Sequence, residues 1–462
     1  MKPLPIKVNR RWGKRFLIAA GALTLFLLAA AWYTTTDSFH GWLRNHVVVA
    51  LQDATGGKVE LGAFHMIPFR LRAEARDLTI HGTEATGSIP LGHADAVVAQ
   101  VRLLPLLGGQ IALSRLILEH PVVRINFAPD GSSNIPTPKG PVDPRSAPEQ
   151  LFDMSIDHLE VHNGALLWND QRIPVDFAAS GVAGGMTHSL FRRRYEGKVH
   201  LEKVDTKLED YRAFAWGGDL EFGLTRHRLD IKSLSLTSGR SRLRFNGEVL
   251  DFVHPQISGN YEAQLEIADT GSVTRTKELA GGTADIRGEG KWTEASFSIT
   301  GKLNVRDGLW KMDNGGIRVA SGSTQYSLTD RLEFRDLQAK ALGGEIKGDV
   351  KVNHWLVAAT DKKHEGSVGE VHLQLRDLAV GDLLSLLNSK DLPIDSLHAV
   401  GTASGTLASQ WKRRIETADT EVDLTASAPP LAATGTLPIA GTAHGTYPVS
   451  YTHLTLPTKR IV

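Results

Sequence analysis

The chain has 462 residues, a net charge of +1 and no cysteine. That balance argues against a nucleic-acid binder driven by bulk charge, and the missing thiols exclude disulfides, zinc fingers, thiol catalysis and iron–sulfur sites. The length suits two or three ordinary domains or one elongated architecture.

Lys2, Lys7, Arg10, Arg11, Lys14 and Arg15 precede an uncharged run of 21 residues, Phe16 to Thr36. As a helix the run would measure about 32 Å, enough for a hydrocarbon core of about 30 Å. Trp32 and Tyr33 sit at its far end, where interfacial aromatics belong, and the basic flank stays in the cytoplasm. The expectation is a basic cytoplasmic tail over 1–15, a single-pass anchor over 16–36, and export of everything beyond. A signal peptide cleaved after Ala29–Ala31 is the alternative.

Residues Ser38 to Ala54 place Phe39, Trp42, Leu43, His46, Val47, Ala50 and Leu51 at helical spacing. After "TGG" the period changes from 3.6 to 2. "FRLRAEAR" sets Phe69, Leu71, Ala73 and Ala75 against Arg70, Arg72, Glu74 and Arg76, and "DAVVAQVRL" offers Val97, Val101 and Leu103. "LLPLLGG" reads as a short helical turn and "APDGSSN" as a hairpin or loop. These elements make a unit over 37–135. Five prolines between Pro136 and Pro148 mark a linker, 136–149.

Beyond it, 150–448 reads as a repetitive antiparallel β region. "EIKGDVKV" is representative: Ile346, Gly348, Val350 and Val352 fall on one face, Glu345, Lys347, Asp349 and Lys351 on the other. "YEGKV", "FNGEV", "ITGKL" and "IKGDV" share one pattern, with Gly197, Gly247, Gly301 and Gly348 about 50 residues apart. A glycine inside a strand commonly marks a bulge or bend, so these four are expected to mark equivalent bends. "TRTKEL" and "VGDLLSLLNSKD" are the short helices expected here, too few to cover a half-apolar sheet. Alternation alone does not distinguish an open groove from a closed sandwich.

Catalytic signals are sparse. The chain has no phosphate-cradling Gly-Lys-Ser/Thr loop and no G-x-S-x-G elbow. His158 and His162 would suit a metal on a helix, but their segment alternates like a strand and reads as surface. Asp130, Ser132 and Asn134 lack the glycine and closing glutamate of a calcium loop and read as a turn. No catalytic, cofactor or metal residue is nominated, and no enzyme activity is expected.

The order of motifs is informative. Asp77-Leu78, Pro90-Leu91, Ala94-Asp95, Leu106-Leu107-Gly108, Pro121, and Asp130-Gly131 to Asn134 follow one another after the hydrophobic run and the helix. Over about Gly41 to Asn134 the chain resembles the AsmA family of the Gram-negative envelope, with its TamB-like and YhdP-like members. The resemblance implies a long curled antiparallel sheet, related to chorein-type lipid-transfer proteins, whose apolar inner face carries lipid chains between inner and outer membranes. The residues that would line such a groove are Phe69, Leu71, Val97, Val101, Leu103, Ile111, Leu113, Phe245, Val249, Ile299, Leu303, Ile346 and Val350. The expected partners are the inner membrane, phospholipid and outer-membrane assembly components, with no nucleic acid. A scaffold for outer-membrane protein assembly is the alternative function. Residues 449–462 depart from the pattern and read as a tail foreign to the natural chain.

Overall fold

The structure, a computed structural model, describes residues 21–22, 24–25, 32–34, 36–67, 70–84, 87–102, 112–137, 147–153, 155–172, 175–189, 191–208, 211–312, 315–355, 367–386, 397–413 and 418–448. The fold is mainly β with few helices. Contacts divide it into two compact units, Met1–Val204 and Asp205–Val462. Most of 16–36, most of 136–149, the "LLPLLGG" turn and all of 449–462 lie outside the described residues. Among the described residues no helix is long and apolar enough to cross a membrane.

The first unit opens with α1 (Asp37–Thr55). The Thr36 side chain accepts from the Phe39 amide, and Gly56 at φ 75° ends the helix with its N–H on the Gln52 carbonyl. Eight strands follow: β1 (Val59–Ile67), β2 (Arg72–Ile80), β3 (Gly92–Val101), β4 (Leu113–Glu119), β5 (Val122–Phe127), β6 (His158–Asp170), β7 (Val175–Ser189) and β8 (Arg194–Leu208), the last running across the unit boundary. Pairing from β1 through β4 and between β6 and β7 is antiparallel.

One departure from the expected all-antiparallel sheet occurs here. β4 and β5 are consecutive pieces of one strand position between β3 and β6, broken at His120 (φ 47°) and Pro121, and both pair in parallel with β6. Parallel neighbours need a crossover connection. The Pro-rich stretch and α2 (Ala147–Asp153) belong to that connection.

α2 brings Phe152 edge-on to Tyr195 at 4.8 Å, and Tyr195 donates to the Ile156 carbonyl at 2.7 Å. Tyr195, Ile156 and Val204 are almost fully buried. The His188 ring lies tilted against Tyr195 at 5.0 Å. Burial, helped by the nearby Arg102 guanidinium, holds the His188 imidazole below its usual value.

The second unit continues with β9 (Phe214–Leu224), β10 (Arg228–Ser238), β11 (Ser241–Leu250), β12 (Gln256–Glu266), β13 (Leu279–Trp292), β14 (Phe297–Met312), β15 (Gly315–Leu328), β16 (Arg331–Ala341), β17 (Gly344–Asn353) and β18 (Ser367–Ala379). Then come β19 (Ala399–Val400), β20 (Thr402–Arg413), β21 (Asp419–Ser427), β22 (Leu437–Pro438) and β23 (Gly441–Pro448). β9 to β18 pair successively and antiparallel, and β20, β21 and β23 extend the ladder. β19 and β22 form a separate two-residue parallel pair. α3 (Ile267–Thr274) packs beside β13, and α4 (Val380–Ser385) follows β18. α3 starts about two turns upstream of the expected "TRTKEL" helix and shares only Thr274 with it: Arg275, at φ 59°, ends it with an N–H on the Gly271 carbonyl.

The repeated glycines behave differently from expectation. Gly247, Gly301 and Gly348 lie on β11, β14 and β17, every third strand. In an antiparallel ladder strands three apart run in opposite directions, so Gly301 is not equivalent to the other two, whereas Gly247 and Gly348, six strands apart, run the same way. None takes a left-handed φ. At Gly247 and Gly348 the register shift falls on the facing strand, at Ile231/Leu234 and Phe334/Leu337. Gly301 is in register with both neighbours. Gly247 and Gly301 seat aromatic side chains, as Gly288 does, while Gly348 lies against Leu373. A Cβ on Gly301 would come 2.7 Å from the Tyr326 hydroxyl, one on Gly288 2.6 Å from the Tyr261 hydroxyl, and one on Gly247 2.8 Å from Cζ of Phe245.

A second mark recurs within the strands. Asp77, Asp307, Asp336 and Asp377 all take φ of 51–53° inside strands, and each follows an arginine and precedes Leu or Gly. Asp tolerates the left-handed region better than most residues. At Asp336 and Asp377 the ladder gains an extra residue, and the displaced amides are satisfied by Asp349 Oδ1 at 3.1 Å and Ser404 Oγ at 2.9 Å. β14, β16 and β18 run in one direction, so in this stretch of the unit the mark recurs at two-strand intervals.

Two outcomes test this description. Gly301→Ala should destabilise the chain by about 1–3 kcal/mol in urea, as overpacking does, whereas Gly445→Ala, which meets nothing within 4 Å, should be silent. Because the folded His188 imidazole is held low, its contribution is intact above the unfolded pKa of about 6.5 and lost as pH falls through the folded value. Thermal stability should therefore fall on acidification below that point, and His188→Phe should flatten the slope; equal slopes would contradict the burial of His188.

Candidate functional site: a one-sided apolar sheet face

Strand alternation in the second unit sorts side chains onto two faces, and the register makes each face continuous. One row crosses ten strands as Leu265, Ala284, Val305, Gly322, Ala339, Ile346, Leu375, Gly405, Leu424 and Ala443. Every member is nonpolar. A parallel row runs Leu337, Gly348, Leu373, Leu407, Val422 and Gly445. A third runs Phe245, Tyr261, Gly288, Gly301, Tyr326, Phe334, Val350 and Val371. The opposite face carries Arg244, Glu262, Arg287, Lys302 and Gln325 in register, and Lys347 in a neighbouring row.

Exposure separates the faces. On β17 Lys347, Asp349 and Lys351 are exposed, while Ile346, Gly348, Val350 and Val352 are half-buried. Phe245, Val249, Ile299 and Leu303 are half-buried too. A second packed layer would bury such side chains fully; here neighbours on the same face cover their flanks and leave their tips in solvent. Full burial is limited to spots such as Leu378 and Val380 at the start of α4, Trp411 over Gly369, and Tyr326 and Ala284. Trp292 and Trp310 are 42% and 44% exposed.

Rings lying over glycines flatten this surface. Tyr261 and Tyr326 reach over Gly288 and Gly301 from opposite sides and share a hydroxyl–hydroxyl hydrogen bond. Burial, with that hydrogen bond, pushes the Tyr326 phenol well above its usual value. It stays neutral and donates or accepts within the pair.

Of the expected lining residues, Phe245, Val249, Ile299, Leu303, Ile346 and Val350 share this face. In the first unit Val97 pairs with Ala75 and Leu118, and Val101 with Leu113, on one face of that unit's own sheet. Leu71 does not continue the alternation of β2. Its φ of 47° breaks the extended conformation one residue before the strand, and its carbonyl accepts the Val101 amide. Phe69, Leu103 and Ile111 lie outside the described residues. Reading by residue missed Tyr261, Tyr326, Phe334, Leu373 and Leu375; alternation within "NYEAQLE" and "EVHLQL" carried the signal for three of them.

The polar groups form ordinary surface pairs. His158 and His162 lie on β6, where His158 meets Thr187 at 3.0 Å and His162 meets Glu119 at 2.9 Å. Asp130 accepts from the Ser132 amide and hydroxyl, and Asn134 accepts from the Asn126 amide while donating to the Arg124 carbonyl. That is a side-chain-stapled turn. Glu333, buried beneath Arg335 and Arg331, is held below the usual carboxylate range, chiefly by its hydrogen bond to Arg335. Among the described residues one group, Glu421, Asp423 and His444, sets ligand-type atoms within 4.8 Å of one another. All three are exposed on the polar face, and Asp423 is already paired with His444.

Comparison with protein-family models, curated proteins and solved structures yields no match.

Proposed function

We propose that this chain is an inner-membrane-anchored, exported protein that carries phospholipid acyl chains along the apolar face of its β sheet, between the inner and outer membranes. The observation that carries the reading is the run of nonpolar residues across ten strands from Leu265 to Ala443, half-buried except for buried Ala284 and exposed Ala443, and backed by a polar face. An acyl chain on this face would exchange water for hydrocarbon contact, worth about 0.8 kcal/mol per methylene. Because consecutive row members are chemically alike, the gain changes little from strand to strand, and a chain can slide without meeting a deep trap. The head group stays in water. No covalent step is required, so the function draws on no catalytic constellation. The apolar segment over 16–36 and its basic flank support the anchored, outward-facing topology.

The test places one charge on the floor. Ile346→Asp should leave the protein folded and abundant, because the residue is half-buried on an open face, yet abolish lipid transfer. A carboxylate under hydrocarbon costs several kcal/mol. Photo-crosslinkers at Phe245, Leu303 and Ile346 should capture phospholipid, and those at Arg244, Lys302 and Lys347 should not. Unfolding of Ile346→Asp would show the face to be packed core. Capture of unfolded outer-membrane strands in place of lipid would mark an assembly scaffold.

A further inference from the structure

We propose that α1 lies on the membrane surface, with an aromatic ladder of Tyr33, Phe39, Trp42 and His46 seated among the glycerol and head-group atoms of phospholipid. The inference rests on the anchored reading above and adds to it a second membrane contact, made by the folded unit itself.

The ladder is assembled from adjacent turns. Tyr33 meets Phe39 edge-on at 5.6 Å, Phe39 stacks on Trp42 at 6.1 Å, and Trp42 meets His46 at 4.1 Å. His46 Nδ1 lies 2.9 Å from the Trp42 carbonyl, which orients the ring along the helix. Trp42 and Val49 are each 53% exposed, and Trp32 is 72% exposed. The other side of the helix is already engaged. Arg44 donates to the Leu61 carbonyl of β1, His40 lies 5.5 Å from His65, and Leu43, Val47 and Leu51 are half-buried. α1 therefore has two faces, one spent on the sheet and one on which Trp42, His46 and Val49 are exposed beside half-buried Phe39.

Position and composition select phospholipid as the occupant. The apolar run Phe16–Thr36 ends on the residue before α1, so the ladder begins where a membrane-crossing segment would emerge at head-group level. Trp and Tyr rings, with an apolar body and a polar edge, favour that zone. The acidic residues of α1 are confined to its ends, Asp37 and Asp53, and none lies among Phe39, Trp42, His46 and Val49.

The absence of native cysteine allows single labels. The full chain carrying Trp42→Cys, His46→Cys or Val49→Cys, or Asp130→Cys on an exposed turn, would be labelled with an environment-sensitive NBD dye. It would then be reconstituted into phosphatidylcholine–phosphatidylglycerol vesicles holding spin labels near the head group or at the chain end. The expected result is co-flotation with vesicles, with blue-shifted emission at 42, 46 and 49 quenched several-fold more by the shallow label than by the deep one. The label at 130 should stay unquenched. A chain that floats but shows labels at 46 and 49 no more quenched than at 130 overturns the surface-helix inference and leaves the anchor standing. A chain that does not float overturns both.

Discussion

Inter-strand backbone hydrogen bonding is the interaction on which each unit depends. In most domains a ladder of this kind is one layer of a sandwich, and burial between layers supplies much of the stability. In the second unit the ladder runs through thirteen strands, β9 to β18 and then β20, β21 and β23, while the side chains on its apolar face stay half-exposed. Stability must then come from the continuity of the ladder and from contacts between neighbours on the same face. The glycine seats follow from this. A ring lying flat over Gly288 or Gly301 recovers apolar contact that no opposing layer provides, as aromatics do when they cover a strand glycine.

The same constraint governs where the ladder may deform. A bulge leaves an amide without its partner, and an orphaned amide is costly. At Asp336 and Asp377 the chain meets this by placing a side-chain acceptor on the facing strand, Asp349 or Ser404. Curvature is thereby introduced without unpaired groups, and the nonpolar rows pass the bulges unbroken: Ala339 still meets Ile346, and Ile346 still meets Leu375.

Much of this was legible in the sequence, because a strand's period of two is a local property. "EIKGDVKV" gives β17 its two faces outright, and six of the expected lining residues share a face of the second unit. What could not be read are non-local facts. Register decides which residues meet across strands, so the seating of Tyr261 and Tyr326 over two glycines from other strands leaves no trace in any one segment. The four-glycine pattern suggested bends, and at Gly247 and Gly348 a bulge lies on the facing strand, while Gly301 is in register; the bulges on β16 and β18 also carry a visible Arg-Asp-Leu, at 335–337 and 376–378. The parallel pairing of β6 with β4 and β5 was hidden because parallel and antiparallel neighbours present the same alternation.

An apolar face this long, left without a second layer, has to be reconciled with water, and acyl chains are the occupant proposed here. The most direct test is to purify the chain from residue 37 onward without detergent exchange, extract it, and measure phospholipid per protein. The account predicts bound phospholipid exceeding one molecule per chain, reduced by Ile346→Asp and unchanged by Lys347→Asp on the opposite face. Protein that is folded, soluble and free of lipid would contradict it.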